Sequence, residues 1–379
     1  MSASQRPMTI GETHDSGARG GAAGGGYDAV LLASFGGPEG PDEIMPFLER
    51  VTAGRGIPRD RLEAVHQHYL RMGGRSPIND QNRALLAALR AELDRRGVTI
   101  PLALGNRNSP PFIDDALREL DTARCRRVLA IATSQYSSYS SCRQYREDLA
   151  EALRSTGLAD RMQVAKVRPA FDRAGFVRTT VELLAAAVSG RAREGLRVLF
   201  TTHSIPSEDA TASGPGAEPG EVDFYSAQHR EVANAVIGGV AALAGETPLP
   251  WRLVYQSRSG SPRVPWLEPD INDALREEAL DGTRIAVVVP IGFVSDHIEV
   301  LWDLDTDATR TASDLDMELV RVPTVGTHPT FVTGLADLVQ AHLAAGRDLA
   351  AGTRWAEFCA AGCCTGARAP LPTVRGVSA

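Results

Sequence analysis

Lysine is nearly absent from this 379-residue chain: of its 40 basic residues only Lys166 is a lysine, and the rest are arginines. Such a bias is expected of a G/C-rich genome. Its chemical consequence is that an anionic ligand meets guanidinium forks, which suit carboxylates. Positive charge is also in deficit, with 47 acidic residues and a net charge of −7. That argues against a nucleic-acid partner, which needs a basic patch or stripe. No stretch approaches the roughly 20 apolar residues of a membrane span. The longest small-apolar segment, Ala235 to Ala244, contains Gly238 and Gly239 and reads as a buried helix. Met1 to Gly26 is rich in Gly, Ala and Ser without the apolar core of a secretory signal, and reads as a disordered tail. A cytoplasmic, monomeric protein is the expectation, and its five cysteines are then not a disulfide framework. The composition, 43% hydrophobic and 23% charged, is that of a globular chain long enough for two cores.

What is present is an alternation of strand and helix signals. Tyr27 to Phe35 is an apolar run ending in Gly36-Gly37-Pro38, a strand and a turn. Helical periodicity marks Leu62 to Met72 and Asn82 to Arg96, and Ile100 to Gly105 and Arg127 to Thr133 read as strands. Arg143 to Arg154 and Phe176 to Val188 read as helices. The second half repeats the pattern. Strands are expected at Arg197 to Thr202, Trp251 to Gln256, Arg284 to Pro290 and Leu319 to Val322. Helices are expected at Phe224 to Ala244, Pro269 to Ala279 and Pro329 to Ala345. The fold class is therefore α/β, with two Rossmann-like, doubly wound parallel sheets and a cleft between them. Residues 27–170 and 171–328 are the expected domains, 329–358 a helical segment packing back on the first, and 359–379 a cysteine-bearing tail. Six polar strand ends should face the cleft, among them Phe35-Gly36-Gly37, Tyr136 to Ser141, His203-Ser204 and Gln256-Ser257-Arg258.

Pro290 to Asp305 carries the strongest chemical signal. If the residues after Asp296 are helical, Glu299, Asp303 and Asp307 stand at i, i+4 and i+8 on one face. A row of carboxylates with no interleaved base suggests a path for a cation; a solvated acidic face is the bland alternative. His203 follows a strand, where an imidazole titrating near neutrality suits a base or a metal ligand, or is merely satisfied by backbone. A neutral imidazole beside carboxylates suits a divalent cation held loosely and passed on.

Several long motifs resemble the ferrochelatases. They are Tyr27 to Pro38 (YDAVLLASFGGP), Gly73 to Asn82 (GGRSPINDQN), Gly105 to Asn108 (GNRN) and Thr202 to Pro206 (THSIP). Gln256 to Gly260 (QSRSG), Trp266 to Pro269 (WLEP) and Gly292 to Glu299 (GFVSDHIE) continue the series. The resemblance implies insertion of Fe²⁺ into a porphyrin between two Rossmann-like domains, with Fe²⁺ and porphyrin as substrates. It is nearest the type found in G/C-rich Gram-positive bacteria, which acts on coproporphyrin III to form coproheme. Protoporphyrin IX as substrate, a porphyrin or heme carrier, and a cobalt or nickel chelatase remain alternatives. The resemblance places His203 and Glu299 opposite each other across the ring as the catalytic and metal-contacting pair, with Asp303 and Asp307 behind Glu299. It assigns Arg55, Tyr69 and Ser76 to the porphyrin carboxylates, Phe35 to stacking, and Tyr136, or else Tyr139, to the iron centre. Gln135 stands where a small residue is expected, and Phe35 where some relatives carry Tyr.

Some ferrochelatases hold a [2Fe–2S] cluster on one internal and three C-terminal cysteines. By that resemblance Cys142, Cys359, Cys363 and Cys364 supply the four thiolates, with Cys125 in reserve. The adjacent pair Cys363-Cys364 is unusual, because consecutive side chains seldom aim at one centre. Pro206 to Glu221, rich in Gly, Pro, Ser and Glu, reads as a disordered insertion or a gate after His203.

Overall fold

The computed structural model describes residues 26–54, 56–214, 223–259, 263–345, 359, 362–365 and 371–374. The expectations for residues 1–25, for Arg55 and for most of the tail lie outside the described residues.

Apolar β-rich runs of four to eight residues cannot bury their backbone except in a sheet, and helices between them must cover both faces. The first half runs β1 (Ala29–Ser34), α1 (Pro41–Val51), α2 (Arg59–Arg71), α3 (Ile78–Arg95), β2 (Leu102–Asn106), α4 (Ile113–Thr122) and β3 (Arg127–Ala132). A π-helical turn, Tyr139–Arg143, leads into α5 (Gln144–Ser155), and β4 (Gln163–Lys166) closes the sheet. The second half runs α6 (Ala174–Val188), β5 (Leu196–His203), α7 (Ser207–Thr211), α8 (Phe224–Ala244), β6 (Trp251–Gln256), α9 (Ile271–Leu280) and β7 (Ile285–Val289). Then follow α10 (Ile298–Val300), a π-helix at Leu301–Ala308, α11 (Thr309–Asp314), β8 (Glu318–Arg321) and α12 (Pro329–Ala345).

Both sheets are four-stranded and parallel, in orders β2-β1-β3-β4 and β6-β5-β7-β8. The same topology thus occurs twice, as two doubly wound units. In each, the strand order reverses beside the first strand, and the crevice at its carboxyl end is where ligands bind. β1 is buried at all six residues, as a central strand covered on both faces must be. One hydrophobic cluster runs through both halves, from Leu32 on β1 and Leu85 on α3 to Phe176 on α6, Val198 on β5 and Leu335 on α12. Arg96, just beyond α3, bonds Asp337 and Gln340 of α12 at 2.7 and 2.6 Å, so the last helix bridges the two halves.

The structure goes beyond the sequence expectation at α1, α4 and β4. Both helices bury an apolar stripe at helical spacing: Ile44, Phe47 and Leu48 on α1, and Ile113, Ala116, Leu117 and Leu120 on α4. β4 is a four-residue edge strand whose length hides its period. The segment after His203 is also corrected. Residues 207–211 are helical, and the Gly214 N–H donates to Cys364 Sγ at 3.2 Å; residues 215–222 lie outside the described residues.

Candidate active site

The crevice of the second sheet is built by β5 overrunning β7. Phe200 pairs with Val289 at the end of β7, while β5 continues through Thr201 and Thr202 to His203, which pairs with Gln256. The chain leaving β7 folds back across Thr202. There Gly292 is required: a Cβ would lie 2.2 Å from Thr202 Oγ1 and 2.9 Å from Thr202 Cα. Thr202 Oγ1 in turn lies 2.7 Å from the Tyr225 hydroxyl, which donates to the His203 carbonyl at 2.9 Å. The backbone under His203 is therefore held from α8.

His203 Nδ1 lies 2.5 Å from the Ser204 carbonyl. A carbonyl only accepts, so Nδ1 carries the proton and Nε2 keeps its lone pair. Nε2 is 3.7 Å from Glu299 Oε2, and both side chains are partly solvent-accessible. This corrects one expectation. A gap of 3.7 Å admits no macrocycle, so His203 and Glu299 stand on the same side of any bound ring. Two ligands at ~2.1 Å from one ion and 3.7 Å from each other subtend roughly 120°. The pair is thus spaced to share a cation.

Behind Glu299 the chain is a π-helix, not the α-helix expected from the carboxylate spacing. Widened turns of this kind are frequent at functional sites. Asp303 is half-buried and accepts hydrogen bonds from Ser257 Oγ and from Gln256 Nε2. Ser257 has φ +61°, a left-handed conformation that aims its hydroxyl back at Asp303. Burial pushes the Asp303 carboxyl up to about 7, opposed by the Ser257 hydrogen bond and reinforced by repulsion from Glu299. Burial also holds the neighbouring His297 below its ordinary range. Asp307 ends the row, but it bonds Arg310 at 2.9 Å, so the row is not free of a base as the sequence suggested.

Residues of the first half pack against this acidic segment. Phe35 follows β1, is 36% exposed, and is held by Phe47 edge-on at 6.1 Å and by the Arg107 guanidinium 5.6 Å above its ring. Ile298, beside Glu299, packs into one cluster with Ile44, Phe47, Leu48 and Tyr69. Ser295 Oγ bonds Asn82 at 3.0 Å, and the Asp296 N–H bonds Gln81 at 2.8 Å, fixing the acidic segment to the first half.

Three expected contacts are placed differently. Tyr69 is 5% exposed within the α1–α2 cluster, and burial with the Glu299 charge raises its pKa well above the usual phenol range. Ser76 is buried beneath the Gly36-Gly37 turn and donates its N–H to the Pro38 carbonyl at 2.9 Å. Tyr136 is buried, with its ring stacked 3.5 Å from His229 and 5.7 Å from Phe171. It belongs to the core behind the crevice, while Tyr139 donates to Glu147 at 3.0 Å. Ile44, Phe47 and Leu48 likewise point inward, on the buried face of α1.

Sequence reasoning missed Thr202, Tyr225 and Arg107 as supports. Gln256 and Ser257 lay in a recognised strand-end motif, but only the fold shows that they reach Asp303.

A second centre lies on the first half. Cys142, on the π-turn Tyr139–Arg143, has its Sγ 3.7 Å from Cys359 Sγ, and Cys363 Sγ is 3.6 Å from Cys364 Sγ. The four side chains form one buried cluster. Cys364 has φ +55°, and this left-handed turn lets two consecutive sulfurs approach each other. Cys142 and Cys363 are held below the ordinary thiol range by hydrogen bonds from the other two cysteines, with burial opposing. Cys125 is buried elsewhere, in the core against β3. Among the described residues, no three His, Cys, Asp or Glu side chains close around a single ion. No helix of the described residues is long and apolar enough to cross a membrane.

Two coproporphyrin III ferrochelatases are similar to the chain. That of Leifsonia xyli subsp. xyli is 51% identical over 372 residues, covering 93% of this chain and 95% of its own length. That of Streptomyces coelicolor is 49% identical over 363 residues, covering 92% and 96%. Among solved structures, a cobalt-bound sirohydrochlorin chelatase from Bacillus subtilis subspecies spizizenii aligns with TM-score 0.48 and 9% identity over 83% of this chain and 94% of that one. The ferrochelatase family model matches residues 27–343, and the chain belongs to the ferrochelatase family.

Proposed function

We propose that this chain inserts Fe²⁺ into coproporphyrin III to form coproheme, with His203 and Glu299 as the catalytic pair. The observation that carries the reading is that pair: an imidazole Nε2 and a carboxylate 3.7 Å apart at the crevice of the second sheet. Insertion must strip water from the cation and remove two pyrrole protons. In this reading Glu299 and His203 replace part of the metal's hydration shell, and His203 Nε2 then accepts a proton. Asp303, with its pKa of about 7, passes between neutral and ionised forms near physiological pH and suits a relay of cation or proton. Phe35 stacks on the ring. The four propionates of coproporphyrin suit an arginine-rich chain, and Arg55 remains the candidate clamp. Residues 27–170 and 171–328 form the two walls, with α12 behind them, in a cytoplasmic enzyme.

The reading includes a [2Fe–2S] cluster on Cys142, Cys359, Cys363 and Cys364. What supports it is the fit of the thiols. Two thiolates on one tetrahedral metal at ~2.3 Å are roughly 3.8 Å apart, and the Cys142–Cys359 and Cys363–Cys364 sulfurs are 3.7 and 3.6 Å apart. Cys142 and Cys363 each also contact both Cys359 and Cys364, so the four sulfurs converge on one centre. Such a cluster would be a one-electron centre, and insertion has no net redox step. In this chain its ligands tie together the π-turn after β3, the tail, and, through Gly214, the segment leaving His203.

The test is anaerobic Fe²⁺ insertion, followed at the Soret band, with coproporphyrin III and protoporphyrin IX in parallel. Faster insertion into coproporphyrin III is expected. Preference for protoporphyrin IX refutes the substrate but keeps the pair. Tight binding of both without metallation makes the chain a carrier.

A further inference from the structure

The only lysine of the chain is also a buried ammonium. Lys166 ends β4 and is 3% exposed. Its Nζ has two acceptors, the Val167 carbonyl at 3.0 Å and Cys142 Sγ at 3.6 Å. No carboxylate bonds it among the described residues. The buried carboxylate of α5, Glu147, is taken by Arg143 at 2.7 Å and by the Tyr139 hydroxyl at 3.0 Å. Arg146, equally buried, turns to the Val374 carbonyl at 3.1 Å. A buried cation without an anion is strongly destabilising. Of its two bonded acceptors among the described residues, the sulfur of Cys142 is the one that can supply negative charge.

We propose that Lys166 is the charge-compensating donor of the four-cysteine site, and that its N–H···S bond to Cys142 sets the reduction potential of the group held there. This rests on the [2Fe–2S] reading above. Four thiolates give the oxidised cluster a net negative charge, and reduction adds one electron with no bond made or broken. A fixed cation and a hydrogen bond at a ligand sulfur favour the more negative, reduced state, so they raise the potential. Lysine suits the place because its ammonium is compact, whereas a guanidinium is a planar fork with five donors to satisfy.

The experiment compares the full chain with Lys166→Met and Lys166→Arg, all purified anaerobically. Iron and acid-labile sulfide are measured first, then the midpoint potential, by titration with dithionite followed by absorbance and electron paramagnetic resonance. The Lys166→Met midpoint should fall by at least 59 mV, a tenfold change for a one-electron couple. Lys166→Arg should recover most of that fall. Loss of iron and sulfide from a Lys166→Met chain that keeps its thermal midpoint also supports the role. If that chain does not fold, Lys166→Gln is titrated instead, with the same expected fall. A midpoint unchanged by loss of the charge overturns the proposal while leaving the cluster in place. If the unaltered chain holds neither iron nor sulfide, it is the [2Fe–2S] reading that fails.

Discussion

Replacing Asp303 by Asn should stabilise the protein and impair it at once. The Asp303 carboxyl is raised from 3.8 to about 7, chiefly by burial. Because the folded-state pKa lies above the unfolded one, the folded chain holds this proton more tightly. The associated stability is complete at acid pH and is lost as pH rises from about 4 through about 7. At about 1.36 kcal/mol per pH unit the full distance is ~4 kcal/mol. Asp303 is only half-buried and remains partly screened by water, so ~2 kcal/mol is the working figure. Asn cannot ionise. The Asp303→Asn thermal midpoint should therefore exceed that of the unaltered protein by a few degrees at pH 8 and match it near pH 4. Fe²⁺ insertion should fall roughly 10²-fold, the scale of a lost proton-transfer group. A stability gap that is the same at pH 4 and pH 8 would refute the assigned ionisation. Undiminished insertion would remove Asp303 from the metal path.

Other substitutions probe the remaining supports. His203→Ala should abolish insertion yet leave porphyrin binding, read by fluorescence quenching; retained turnover would sink its assignment as proton acceptor. Gly292→Ala drives a methyl into Thr202 at 2.2 Å, and should cost about 1–3 kcal/mol of stability and weaken insertion, read by urea unfolding and initial rates. Cys364→Ser should lose the visible charge-transfer absorption of the proposed cluster while insertion persists; a retained chromophore would mean that Cys364 is not a ligand.

Seven of the eight strands were legible because each is a short apolar run bounded by turn residues, and the bounds of β6 and α8 follow directly from sequence. Helices α1 and α4 also carry periodic apolar stripes, so their signal too is present in the sequence. The π-helix was not legible. The spacing of Glu299, Asp303 and Asp307 is compatible with either winding, and only the packing of Leu304 and Ala308 into the β7 core selects the wider one.

The sequence by itself determined a doubly wound α/β chain, and its motif order carried the resemblance to ferrochelatases that singled out His203, Glu299 and four candidate cysteine ligands. Those properties are local: period, turn chemistry and donor identity are written in consecutive residues. Tertiary structure alone decided that His203 and Glu299 share one wall, that Tyr69, Ser76 and Tyr136 are buried, and that Lys166 meets Cys142. Each depends on which side of a strand or helix reaches residues far away in the chain, and burial is settled only when the whole core has closed.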